Sequence, residues 1–190
     1  MAKKESNFVS MVTTLSVVAL AAAALLGGVY ELTKEPIRLA DLRKRNEAIE
    51  AVVPDFDTVP SDQIMKYGMD GDTLTLYPAV QNGIVVGTAV ETFTNNGFSG
   101  EFKLMVGFDN SGNIVDIAVL SHKETPGLGD KMERDKSEFH VQFMGKHPDE
   151  FDLAVKKDNG DVDAITASTI TSRAYCEAVE RAYEAWKATR

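Results

Sequence analysis

Cysteine is nearly missing from this chain: Cys176 stands alone among 190 residues. A single thiol excludes an intrachain disulfide framework, and it excludes a zinc or iron–sulfur centre built from this chain's cysteines. Histidine is also scarce. His122, His140 and His147 are too scattered to read as a metal-ligand set or a catalytic triad, and they read as surface or packing residues. Basic residues are in deficit, 20 Lys+Arg against 29 Asp+Glu, which leaves a net charge of −9 and an isoelectric point near 4.8. Such a surface repels phosphate backbones and argues against DNA or RNA as a partner. The length excludes a large multidomain enzyme and fits one ordinary domain plus an appendage. No internal repeat is visible.

Charge is absent altogether from one stretch. Between Glu5 and Glu31 no charged side chain occurs, and Phe8 to Tyr30 is dominated by Val, Leu, Ala and Met. At ~1.5 Å per helical residue this covers roughly 30 Å of hydrocarbon. Lys3 and Lys4, with the alanine tract Ala21 to Ala24, leave a cleaved signal peptide as the competing reading, but the apolar run exceeds the usual ~7–15 residues of such signals. The expectation is a tail over residues 1–7 and a transmembrane helix over 8–30, with Tyr30 as an interfacial aromatic. Ala19, Ala23 and Gly27 recur at a spacing that admits a second helix in lipid. Lys3 and Lys4 favour a cytoplasmic N-terminus, while Lys34, Arg38, Arg43, Lys44 and Arg45 count the other way, so charge alone leaves the orientation open.

Without Lys3, Lys4 and Glu5, the body after Tyr30 is one charge more acidic than the whole chain. Pro36 at an early helical position and Pro54 at the end frame a stalk or linker helix over 31–54. Asp55 to Asp72 is polar, turn-rich and without a clear period. From Thr73 the texture turns β-branched and aromatic, with about four strands expected at Thr73 to Val80, Ile84 to Phe93, Phe102 to Phe108 and Ile114 to Ser121. The separators Gln81-Asn82-Gly83, Asn95-Asn96-Gly97 and Asp109-Asn110-Ser111-Gly112-Asn113 are turn chemistry, which makes an antiparallel meander the natural arrangement. Ser137 to Phe151 reads as a short helix or irregular loop. Ser172 to Thr189 places Tyr175, Val179, Ala182 and Trp186 on one helical face, so an amphipathic terminal helix is expected. The fold class is α+β, and Cys176 is expected to be a small buried hydrophobe.

Two segments do not read as scaffold. In Glu124-Thr125-Pro126-Gly127-Leu128-Gly129, two glycines flank a leucine after a proline; such a loop exposes backbone N–H groups to a ligand while Leu128 offers an apolar contact. The glycine spacing matches neither a Walker loop nor a dinucleotide fingerprint. In Asp163-Ala164-Ile165-Thr166-Ala167-Ser168-Thr169-Ile170-Thr171-Ser172, five hydroxyl residues crowd the start of the terminal helix, more than capping requires. A helix start also favours a phosphate through its free N–H groups and dipole.

These two motifs, in this order and after an anchor and a meander, resemble the FMN-binding domain family across essentially the whole chain. Asp163 to Thr169 is similar to the motif Asp-x-x-(Ser/Thr)-Gly-Ala-Thr, whose last threonine bears FMN through a phosphoester bond. The resemblance implies that Thr169 is the covalent attachment point, that Thr166, Ala167 and Ser168 line the phosphate, and that Glu124, Thr125, Gly127, Leu128 and Gly129 hold the ring. It implies further that Asp163 is read by a flavin transferase that installs FMN from FAD. Gly97-Phe98-Ser99-Gly100 is similar to a further loop near the flavin. Two positions depart from the motif: Ala167 stands where Gly is usual and Ser168 where Ala is usual. A left-handed backbone at Ala167 would cost about 1 kcal/mol. Ser168 adds a second hydroxyl beside Thr169.

The FMN-binding domain is expected over 55–190. Within the family, the single span and short length most resemble the G subunit of the Rnf electron-transport complex, related to the C subunit of the sodium-translocating NADH:quinone reductase. That resemblance implies a flavoprotein component of the cell inner membrane, single-pass, with its C-terminal domain on the periplasmic side. It implies electron relay among membrane and redox subunits that couple ferredoxin and NAD to ion movement, with the isolated chain needing no catalytic base. A stand-alone extracytoplasmic flavin carrier and an unmodified structural subunit are the rival readings.

Overall fold

A computed structural model describes residues 7–59, 63–69 and 71–190. Lys3, Lys4 and Glu5, used above, lie outside the described residues, as do residues 60–62 and 70 of the polar stretch. The chain divides into two units, Met1–Arg43 and Lys44–Arg190.

Helix α1 runs from Phe8 to Val52. Its first part is long and apolar enough to cross a membrane, and its apolar side chains are exposed. Threonine hydroxyls along α1 bond back to the helix itself: Thr14 Oγ1 donates to the Ser10 carbonyl at 2.8 Å and Thr33 Oγ1 to that of Val29 at 2.8 Å. In hydrocarbon, such back-bonding would spare a hydroxyl the penalty of having no partner. Pro36 starts no new helix, contrary to expectation, and sits inside α1. Its ring removes one backbone donor, which a long helix tolerates where its neighbouring bonds persist. The helix stops at Val52, two residues before Pro54.

In the second unit, five antiparallel strands form a meander in the order β1 (Met65–Met69), β2 (Asp72–Gln81), β3 (Ile84–Gly97), β4 (Gly100–Asp109) and β5 (Ile114–Ser121). Four were expected. The extra strand β1 is a largely exposed edge strand paired only with β2, and its sequence, Met-Lys-Tyr-Gly-Met, offers no continuous apolar face. The β3–β4 turn also lies further on than expected. Strand β3 continues through Asn95 and Asn96, and Gly97 pairs with Gly100 around Phe98 and Ser99. Gly100, at φ +96°, supplies the positive φ that the reversal needs.

Strand alternation sends two different surfaces to the two faces of the sheet. Leu74, Leu76, Val90, Phe102, Leu104, Val106 and Phe108 face helix α2 (Thr169–Ala188), which buries Tyr175, Val179, Ala182 and Trp186 as expected. Cys176 is buried there as well. On the other face, Tyr77, Ala79, Ala89, Met105 and Ala118 pack against Ala48, Ile49, Val52 and Val53 at the end of α1. A Cβ at Gly107 would overlap the Val52 carbonyl, so glycine is required for this approach. Between β5 and α2 the chain forms short 3-10 turns at Gly129–Met132, Phe139–Phe143 and Lys156–Asp158.

Candidate functional site

Thr125-Pro126-Gly127-Leu128 forms a hydrogen-bonded turn: Leu128 N–H donates to the Thr125 carbonyl at 3.1 Å, and Gly127 takes φ +79°. Proline followed by a positive-φ glycine is the chemistry of a type II turn. Its result is a half-exposed Leu128 followed by a buried Gly129. A Cβ at Gly129 would strike the Glu124 carboxylate and approach Thr171 Oγ1 to 2.9 Å, so the bare backbone here makes room for those side chains.

The hydroxyl-rich segment enters α2 three residues earlier than expected. Ala167 takes φ +62°, the left-handed conformation for which glycine is the usual residue. Ser168 is the N-cap residue and Thr169 the first residue of the helix. Ser172 N–H is the first to reach a helical carbonyl, that of Ser168 at 3.0 Å. The N–H groups of Thr169, Ile170 and Thr171 are therefore the ones the helix leaves free, at the positive end of its dipole.

The two motifs meet. A cavity of about 290 Å³ is lined by Phe98, Glu124, Thr125, Leu128, Gly129 and the run Ala167 to Thr171. This is close to the lower bound of roughly 300 Å³ for ligand pockets, enough for part of a ligand whose remainder stays in solvent. Seven of the nine residues named from sequence line it; Thr166 and Gly127 do not. Sequence reasoning missed Ile170 and Thr171 as wall residues, although the surplus of hydroxyls was the available signal. Phe98 is two-thirds exposed, with little packing of its own, and Ile170 is about half exposed. With Leu128 they give the mouth an apolar surface, while the first turn of α2 gives it anion-binding donors. The set fits a ligand with a flat apolar body and an anionic end.

The five hydroxyls divide sharply. Ser172 Oγ donates to the Ser168 carbonyl at 3.0 Å and accepts from Ile165 N–H at 2.9 Å, and it is fully buried. Thr171 Oγ1 donates to Glu124 Oε2 at 3.0 Å and is also buried. Ser168 is buried and makes no capping bond with its side chain. Thr166 is exposed but off the cavity wall, whereas Thr169 is half-buried and on it.

The surroundings hold these loops in place. Glu124 N–H donates to His122 Nδ1 at 3.0 Å, so the ring carries its proton on Nε2, which lies 2.9 Å from Glu133 Oε1. Burial raises the Glu133 carboxyl, but the Lys136 ammonium at 2.7 Å and the His122 ring outweigh it and hold the group below the usual carboxylate range. At the other motif, Gln142 clamps the backbone of Asp163, accepting from its N–H at 2.8 Å and donating to its carbonyl at 3.2 Å. The Asp163 side chain points to solvent, paired with Lys156 at 2.7 Å, and does not reach the cavity wall.

Comparison with known proteins agrees with this geometry. The family model described as FMN-binding domain matches residues 97–184. The G subunit of the ion-translocating oxidoreductase complex of Vibrio vulnificus (strain YJ016) is 33% identical over 183 residues, spanning 90% of this chain and 85% of its own. The protein of the same name from Vibrio cholerae serotype O1 (strain M66-2) is 34% identical over 179 residues, spanning 90% and 86%. That of Shewanella oneidensis is 42% identical over a shorter stretch of 114 residues, 58% of this chain and 54% of its own.

Proposed function

The chain belongs to the family of G subunits of ion-translocating oxidoreductase complexes and carries an FMN-binding domain, and from that premise we propose that it is a membrane-anchored flavoprotein relaying electrons within such a complex. FMN is held covalently, by a phosphoester to Thr169. One observation carries this reading above the others: two motifs far apart in sequence converge on one cavity, and of the three hydroxyl residues that the start of α2 puts on its wall, Ser168, Thr169 and Thr171, Thr169 is the one that is neither buried nor committed to Glu124.

In this arrangement the N–H groups of Thr169, Ile170 and Thr171 receive the phosphate, beside Ala167 and Ser168. Phe98, Leu128 and Ile170 exclude water from the ring, and Glu124, Thr125, Gly127 and Gly129 shape its seat. When bound, FMN supplies one- or two-electron chemistry, and the protein supplies position and electrostatics. The exposed carboxylate of Asp163 is the feature a flavin transferase reads, since it lies outside the cavity and remains available to an enzyme working from solvent. Residues 8–30 anchor the chain, 31–54 link it and 55–190 hold the flavin on the extracytoplasmic side, where covalent attachment prevents loss of the cofactor. The complex couples electron transfer between ferredoxin and NAD to ion translocation.

Mass spectrometry of the peptide containing Thr169, from the native host with its transferase present, tests the reading. A mass increase of one FMN on Thr169 is expected, and an unmodified peptide would remove covalent flavin from the account. Purification in mild detergent is expected to bring companion membrane subunits along; a lone flavoprotein would sink the assignment to a complex.

A further inference from the structure

Glu124 lines the cavity, yet both its oxygens are already in use. Oε1 accepts from Ser99 N–H at 3.0 Å, and Oε2 accepts from Thr171 Oγ1 at 3.0 Å. The residue is about 5% exposed, and its partners are an amide and a hydroxyl rather than a cation. Two glycines frame the carboxylate. A Cβ at Gly97 would come to 2.7 Å from Oε1, and one at Gly129 would displace Oε2. Three segments distant in sequence therefore meet on one side chain: the Gly97–Gly100 turn that carries Phe98, the Pro-Gly loop that carries Leu128, and the first turn of α2 that carries Thr169. Burying a carboxylate is costly unless its lone pairs are satisfied, so these bonds are held firmly, and losing one partner penalises the separation of the loops.

We propose that Glu124 is a positioning residue that fixes the gap between Phe98, Leu128 and the start of α2 through Ser99 and Thr171, so that the seat for a flat ring exists before any flavin arrives. This rests on the flavoprotein reading above. It assigns Glu124 a different task from touching the ring, and it brings in Thr171 and Ser99. Hydrogen bonding rather than charge carries the effect. Glutamine at this position accepts from Ser99 N–H through its carbonyl and donates from its amide to Thr171 Oγ1, which has lone pairs to receive it.

The test uses the full-length chain in detergent, prepared with and without co-expressed flavin transferase, as wild type, Glu124→Gln, Glu124→Ala and Thr171→Val. In the flavin-free protein, hydrogen–deuterium exchange at the Ser99 amide is expected to accelerate at least tenfold in Glu124→Ala, with Glu124→Gln near wild type. In the flavinylated protein, Glu124→Ala and Thr171→Val are expected to show lower flavin fluorescence anisotropy and a higher quantum yield as the ring loosens, again with rescue by Glu124→Gln. Wild-type exchange and anisotropy in Glu124→Ala would overturn the proposal, as would Glu124→Gln behaving like alanine. Should Glu124→Ala fail to fold, Thr171→Val decides: unchanged anisotropy overturns the proposal and reduced anisotropy supports it. A wild-type chain that takes up no flavin refutes the flavoprotein reading instead, and the exchange measurement still judges Glu124 on its own.

Discussion

The two faces of the sheet are covered by helices in opposite ways. Against α2 the sheet presents large side chains, Phe102, Leu104 and Phe108, and a depth of aromatic contact that includes the Phe108–Trp186 pair at 5.7 Å. Against the end of α1 it presents Ala79, Ala89, Ala118 and Gly107 beside Tyr77 and Met105, and at Gly107 the two backbones nearly touch. The difference teaches where function can be placed. On the tight face a side chain at Gly107 would have no room beside Val52, whereas a cavity opens where α2 begins.

Four expected outcomes sharpen or break that contrast, in falling order of their effect on stability. The largest belongs to the tight face. Gly107→Ala forces the Val52 backbone away and is expected to destabilise the body by about 3 kcal/mol or more, at the top of the overpacking range, as read by denaturant unfolding. Near-wild-type stability would mean that the end of α1 does not sit on β4 in solution.

Alkaline titration probes both faces. Burial pushes the Cys176 thiol up from 9 to about 12, and burial together with Glu91 raises the Tyr77 phenol from 10 to about 12. Both pKa values are raised on folding, so the stability contributed is complete below the unfolded values and is lost as pH climbs from about 9 for the thiol and about 10 for the phenol. The slope for Cys176 is at most about 1.4 kcal/mol per pH unit, and that for the less buried Tyr77 is smaller through solvent screening. Unfolding curves between pH 8 and 11 are expected to lose their early decline in Cys176→Ala and part of the later decline in Tyr77→Phe. A Cys176→Ala curve parallel to wild type would show that the thiol is not buried in the core between α2 and the sheet.

The next two act at the mouth of α2, with little cost to the fold. Thr169→Val is expected to abolish covalent flavin fluorescence on a denaturing gel while changing stability by no more than about 1 kcal/mol. Fluorescence that persists would move the attachment, with Ser168 the first candidate. Smallest in stability is Asp163→Asn, which breaks an exposed pair with Lys156 and is expected to cost under about 0.5 kcal/mol. Its flavin incorporation is nonetheless expected to fall severalfold when the transferase is limiting, measured as flavin per protein by absorbance; unchanged incorporation would remove Asp163 from recognition.

Legibility from sequence followed the range of the interactions. The meander was visible because β-branched alternation and turn residues act locally, and the buried face of α2 was visible in the spacing of Tyr175, Val179, Ala182 and Trp186. Strand β1 was not visible, since its pairing depends on the edge that β2 leaves open rather than on its own pattern. The β3–β4 turn was placed too early because Asn95-Asn96-Gly97 is good turn chemistry that the register with β4 overrides. Pro36 read as a helix start, and the helix that begins in the apolar run simply continues through it. At the site, both motifs were legible, and so was the question of Ala167, which its φ of +62° answers.

By itself, then, the sequence determined the apolar span, the antiparallel order, the hydroxyl surplus and the two motifs, all properties of neighbouring residues or short periods. Tertiary structure decided which of those hydroxyls face a cavity and which are locked away. Thr171 is committed to Glu124 and Ser172 to the backbone at Ile165 and Ser168. The physical reason is that a hydroxyl's availability depends on the partners that folding brings within about 3 Å, and here those partners include a loop residue 47 positions earlier in the chain.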